Sequence, residues 1–256
     1  MSEAMLRTER RGDVLALTLD RPERLNAAPP ALFDAIGAAL SERGDARAIL
    51  IAGEGRAFCS GADISGADVG PDTVHRALVG HYNPLMLALA DLPIPVVSAV
   101  RGAAAGIGCS LALAADFCVA SESAYFLHAF VNIGMVPDGG ASWMLPRLIG
   151  RARAAEMMML GERVGATRAL DWGMVHKVVA DDALDAEAWA LAERLAAGPS
   201  VALGLMRRAL HAGFDSDYAA ALAREAQDQR SARATLDGEE GGRAFFEKRP
   251  PRFLGR

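Results

Sequence analysis

Short apolar blocks alternate with polar punctuation through the first two thirds of the chain. Val14-Leu15-Ala16-Leu17-Thr18-Leu19 alternates in part and reads as a strand, ended by Asp20-Arg21-Pro22. Residues 30–42 place Leu32, Ile36, Ala39 and Leu40 at helical spacing, and Pro30 suits a first helical turn. Residues 48–52 are wholly apolar, as expected of a parallel strand covered on both faces. The pattern recurs: a loop over 53–65, a helix near 73–92, and a strand over 96–100 opened by Pro93-Ile94-Pro95. A glycine-rich loop, a helix near 108–115 and strands over 117–120 and 124–127 follow. Such alternation predicts an α/β core. After about Val179 the chain turns rich in Ala, Leu, Arg and Glu. Helical spacing covers 183–197, 200–212, 217–235 and 239–248, punctuated by Gly198-Pro199 and Gly213. The expected division is a core over 1–197 and a helical region over 198–256. The second region has many alanines and few large apolar residues, which suits packing on a neighbouring chain.

Composition narrows the function classes. The 256 residues are 52% apolar, enough for a sizeable core. Net charge is −5, without the basic excess that neutralises phosphates, so no nucleic-acid partner is expected. Cys59, Cys109 and Cys118 form no C-x-x-C pair and read as small buried apolar residues suited to a reducing cytoplasm. Residues 1–13 are charged and unlike a signal peptide. The longest apolar run, near 94–115, is interrupted by Pro95, Arg101 and several glycine or serine positions, so no membrane span is expected. The five histidines lack metal-ligand spacing.

Four segments carry candidate chemistry. Gly53 to Ile64 (GEGRAFCSGADI) follows a buried strand, and its glycines let backbone N–H groups approach an anion or oxyanion. Arg101 to Ser110 (RGAAAGIGCS) runs into a helix whose first N–H groups are free to face negative charge. Neither is a dinucleotide fingerprint or a P-loop. Gly108-Cys109-Ser110-Leu111-Ala112 also reads as a loosened nucleophile elbow, which requires a partner among His128, His176 and His211. In Gly134 to Trp143 (GMVPDGGASW), Pro-Asp-Gly marks a turn. There Asp138 is either the N-cap of a following helix or a carboxylate facing a pocket. Phe245-Phe246-Glu247-Lys248-Arg249 places a lysine able to pair with phosphate, or simply ends a solvated helix.

Together with Arg21-Pro22 and Leu25-Asn26, these segments resemble the crotonase (enoyl-CoA hydratase/isomerase) family in order and spacing across nearly the whole chain. The resemblance implies a spiral of ββα units, a helical C-terminal region that assembles trimers or dimers of trimers, and an acyl-CoA thioester as substrate. Coenzyme A would be part of that substrate, with no permanently bound cofactor and no metal. It implies an oxyanion hole from the N–H groups of Ala62 and Ile107, flanked by Gly61, Asp63, Ile64 and Gly106. It further implies a coenzyme A path past Arg24 and Leu25, with Phe245 and Lys248 reaching it across a subunit boundary. The two glutamates of the hydratases match Ser110 and Phe130, so ordinary hydration is not expected. The Pro-Asp-Gly-Gly turn is similar to that of 1,2-epoxyphenylacetyl-CoA isomerases and related enoyl-CoA isomerases, as are Tyr82-Asn83-Pro84-Leu85 and Leu145-Pro146-Arg147. This resemblance assigns Asp138 as a single base for a double-bond shift or epoxide rearrangement. A hydratase with replaced glutamates, or a non-catalytic CoA- or RNA-binding relative, are the alternatives.

Overall fold

The computed structural model describes residues 5–65 and 70–256. In chain order the elements are β1 (Leu6–Arg11), β2 (Val14–Leu19), α1 (Pro30–Ser41), β3 (Ala48–Gly53), α2 (Pro71–Ala77), α3 (Asn83–Asp91), β4 (Val96–Val100), β5 (Ala103–Ala105) and α4 (Ile107–Leu113). Then come β6 (Phe117–Ser121), β7 (Tyr125–Leu127), α5 (Ala141–Leu160), β8 (Val164–Gly165), α6 (Ala166–Asp171), β9 (Lys177–Val179), α7 (Leu184–Ala196), α8 (Ser200–Gly213), α9 (Tyr218–Arg233) and α10 (Leu236–Glu247).

Six strands form the larger sheet in the order β1-β2-β3-β4-β6-β9, parallel except for the β1–β2 pair. The smaller sheet is β5-β7-β8. Each turn of the chain lays one strand in the larger sheet and one short stretch in the smaller. β4 leads to β5 and α4, and β6 leads to β7. The stretch after β3 joins the same layer through a parallel bridge between Cys59 and Ala104. The expected α/β spiral of ββα units is therefore present, with helices gathered at the C-terminal end.

The larger sheet is covered on both faces, which explains its apolar strands. Side chains alternate by two. Val14, Ala16, Ala48, Leu50, Val97, Ala99 and Val119 meet Leu184, Ala188, Ala192 and Ala196 of α7. Leu17, Leu19, Ile49, Ile51, Val96 and Val100 face the main core with Phe33, Phe58 and Phe126. Fully burying a side chain the size of Leu or Phe stabilises by about 1.5–3 kcal/mol.

The structure departs from the sequence reading at its short elements. β1 was not anticipated, because its Leu-Arg-Thr-Glu-Arg-Arg strand is an exposed edge with no apolar alternation. β5, β8, α6 and β9 are too short to show a period. The helix expected over 73–92 is broken by a π-turn over Leu78–Tyr82. Pro84 lies in the first turn of α3 and has no N–H to carry one regular helix through.

A buried cation helps dock the helical region. Arg207 of α8 is 3% exposed and bonds Asp116 at 2.7 and 2.8 Å and the carbonyls of Ala90 and Leu92 at 2.9 Å. Beside it, a Cβ on Gly204 would fall 2.2 Å from the Pro93 carbonyl oxygen, so α8 rests directly on that loop. By contrast α9 buries no residue. No helix among the described residues is long and apolar enough to cross a membrane.

Candidate active site

Two loops converge at their glycines. Gly61 has φ +112° and Gly106 has φ +53°, conformations that exclude ordinary side chains at low cost. A Cβ on Gly106 would sit 3.7 Å from Gly61 Cα and 3.5 Å from Phe130 Cζ. The residues immediately after these glycines are Ala62 and Ile107. Ala28 pairs across to Ala62 by donating to the Gly61 carbonyl at 2.8 Å and accepting from Asp63 N–H at 3.0 Å. That pattern turns the N–H of Ala62 away from Ala28. Ile107 is the first residue of α4, where N–H groups have no helical partner. Cys109 and Ser110 both donate to the Gly106 carbonyl, and among the described residues no loop or cap bond takes the N–H of Ala62 or Ile107.

The first loop is braced from the N-terminal side. Leu25 and Asn26 are left-handed, at φ 51° and 55°. Buried Asn26 donates to the carbonyls of Glu54 (2.9 Å) and Ala57 (2.7 Å) and accepts from Arg21 N–H (2.8 Å). Ser60 N–H bonds the Leu25 carbonyl. These bonds hold Arg24 and Leu25 beside the loop, with Arg24 exposed and donating to Ser65 Oγ. Asp63 bonds Arg21 at 2.9 Å and also accepts from the Ser65 hydroxyl and N–H. The Ser65 hydroxyl, with Arg21, holds its carboxyl below the usual range despite burial. Ile64 projects outward, 64% exposed.

Asp138 stands in the opposite condition. Its Oδ1 is buried with no hydrogen-bond partner. Burial raises its pKa from 3.8 to about 6, offset in part by its own backbone N–H. It is not a helix cap: α5 begins at Ala141 with Gly140 as N-cap, and no side chain bonds the first turn. Tyr82 lies within electrostatic reach and donates its hydroxyl to the Ala28 carbonyl at 2.8 Å. Burial first, then the charge at Asp138, pushes the phenol up to about 12.

Ser110 Oγ donates to the Asp138 carbonyl at 2.9 Å and is fully buried. It touches no histidine: His176 packs edge-on against Phe117, His211 stacks on Trp143, and neither ring nitrogen of His128 has a partner. The nucleophile-elbow reading therefore fails. The sequence offers His128 only as a partner for the elbow and Gly139 only as part of the turn. His128 is buried behind Phe130, with ring centroids 5.8 Å apart, and burial lowers its pKa to about 4, so it is neutral. A single histidine at a strand end carries no sequence signal for that placement.

Phe245 and Lys248 lie at the end of α10, both exposed, with Lys248 left-handed at φ 54°. Among the described residues no bond or ring contact joins them to the Ala62 and Ile107 loops. Among the described residues no cluster of three or more His, Cys, Asp or Glu side chains is arranged to hold a metal ion.

Residues 9–256 match the family model for enoyl-CoA hydratase/isomerase. The chain belongs to the enoyl-CoA hydratase/isomerase family. It is 43% identical to a Rhodobacter capsulatus protein named probable enoyl-CoA hydratase, over 100% of both chains. It is 40% identical to the 1,2-epoxyphenylacetyl-CoA isomerase of Escherichia coli, over 95% of each. The enoyl-CoA hydratase structure from Bacillus anthracis superposes with a TM-score of 0.93 at 31% identity, covering 99% of this chain and 100% of that one. The fold is thus the crotonase fold, and the family's enzymes act on coenzyme A thioesters. Family membership alone leaves hydration and isomerisation both open.

Proposed function

We propose that this chain is an enoyl-CoA isomerase that works with one carboxylate base. The N–H groups of Ala62 and Ile107 grip the thioester oxygen. Ionised Asp138 removes a proton from the carbon beside the thioester carbonyl. The C–H electron pair moves into a dienolate whose oxygen charge falls on the two donors, each worth about 3 kcal/mol at such a position. The protonated Asp138 then returns the proton to the far carbon of the allyl system, and the double bond has shifted. Rearrangement of an epoxide at the same acyl position suits the same site. No cofactor is needed beyond the coenzyme A of the substrate.

The buried, unpartnered Oδ1 of Asp138 carries this reading. A base with pKa near 6 is ionised at neutral pH and still holds a proton well enough to return it. A hydratase needs two groups to hold a water and deliver its proton. Phe130 has none to offer, and the Ser110 hydroxyl is committed to the Asp138 carbonyl.

Asp138→Asn should lower turnover of a 3-enoyl-CoA by about a thousandfold or more, in the range for general acid–base groups. Undiminished isomerisation removes the proposal. Crotonyl-CoA hydration that survives the substitution selects a hydratase instead.

The reading assigns Arg24 and Leu25 to coenzyme A, completed by Phe245 and Lys248 of a neighbouring copy. A groove of about 870 Å³ between α8 and α9 supports assembly, since Met206, Leu210, Phe214 and Leu222 line it and are exposed. Light scattering should give three or six times the chain mass; a monomer would overturn that part. Three buried free thiols suit a reducing compartment, and the reading assigns the enzyme to the cytoplasm.

A further inference from the structure

Ser110 sits where a water-holding carboxylate would serve a hydratase, yet it is 0% exposed. Its hydroxyl is used within the chain. Ile107 and Ser110 are three apart on α4 and so share one face of that helix. That face carries the turn containing the base. A Cβ on Gly139 would meet Ile107 Cδ1 at 2.5 Å, Ser110 Cβ at 2.6 Å and Ser110 Oγ at 3.0 Å. The Gly139 backbone, at φ +59°, therefore rests directly on the two side chains. One residue earlier, the Asp138 carbonyl accepts the Ser110 hydroxyl at 2.9 Å. The same carbonyl also accepts Ala141 N–H at 3.1 Å as α5 begins.

We propose that Ser110 is a positioning residue that fixes the spacing between the base and the oxyanion hole. Its hydroxyl pins the Asp138 turn to α4, the helix whose first N–H is that of Ile107. One hydrogen bond and one glycine contact thereby set where the carboxylate stands relative to the thioester oxygen. Without the hydroxyl, the turn rests on α4 through van der Waals contact alone, and water gains a path to the carboxylate. This inference rests on the isomerase reading above.

The test is Ser110→Ala, assayed on a 3-enoyl-CoA beside wild type and Asp138→Asn, with each variant's fold checked by circular dichroism. A displacement of the base by about an ångström costs on the order of a hundredfold in rate. The expected result is a fall in kcat of about tenfold to a hundredfold, with KM changed by less than about threefold. The acid limb of the rate profile should also move below its wild-type position, because a wetter carboxylate titrates lower. Tyr82, an ionisable group in electrostatic contact with Asp138, stays neutral throughout the assay range and does not confuse the limb. Wild-type kcat in Ser110→Ala overturns the inference, as does a lower kcat with the acid limb unmoved. Full activity in Asp138→Asn would instead sink the isomerase reading itself, so the two failures are distinguishable.

Discussion

Asp63 on the first loop and Asp138 on the turn before α5 both act on the Tyr82 phenol, yet the molecule treats the two carboxylates in opposite ways. Asp63 has the Arg21 guanidinium, the Ser65 hydroxyl and a backbone N–H, and its acidity is strengthened. Asp138 has burial and only its own N–H, and its acidity is weakened. Two identical side chains at one site thus acquire different uses from their surroundings. A satisfied carboxylate braces a loop. An unsatisfied one stores the free energy that a proton releases on arrival.

The comparison breaks first on turnover. Asp138→Asn should lower isomerisation by about a thousandfold or more, whereas Asp63→Asn should keep kcat within about tenfold, since its oxygens face loop partners. Equal losses in the two variants would erase the distinction. The next largest effect is on stability against pH. Asp138 titrates near 6 when folded and near 3.8 when unfolded, so the native state holds the extra proton between those values. Its contribution is present below about pH 4 and lost as pH rises through about 6. Asp138→Asn should therefore be the more stable protein at pH 8, by up to about 3 kcal/mol, with no advantage at pH 4. Denaturant unfolding at both pH values checks this. The difference between variant and wild type is the quantity to follow, because neutral His128 works in the opposite sense over nearly the same range. Its folded value near 4 lies below the ordinary 6.5, so it gains stability as pH rises.

Asp63→Asn has the smallest effect and the reverse sign. The stability from its lowered pKa is present above the unfolded value and is lost as pH falls through the folded one. Breaking its hydrogen-bonded pair with Arg21 should cost about 2 kcal/mol at neutral pH, read from the same unfolding curves. A stabilising Asp63→Asn would mean that the ion pair is not what braces the loop.

Much of this arrangement was legible beforehand. The strands β2, β3, β4 and β6 announced themselves because both faces of the larger sheet are covered and their residues had to be apolar. The two glycine loops and the Pro-Asp-Gly turn stood out because each needs backbone that only glycine adopts cheaply. What escaped notice was short, exposed or contact-dependent. β1 is a polar edge, and β8 has two residues, fewer than any period requires. Whether Asp138 capped a helix or stood free was undecidable from spacing, since either use fits the same Pro-Asp-Gly. Nothing in the local sequence marks Arg207, whose place depends on bonds to Asp116, Ala90 and Leu92 that only the fold brings within reach.

By itself the sequence determined the α/β alternation, the helical end and the glycines that let two loops approach, because local backbone preference and side-chain periodicity are properties of neighbouring residues; the spiral was implied only by the family resemblance. Only the tertiary structure decided which carboxylate is satisfied and which is left alone. Ser110 meets the Asp138 carbonyl across 28 positions, and Asp63 meets Arg21 across 42. A carboxyl group's acidity depends on what surrounds it in space, and spacing along a chain does not encode that.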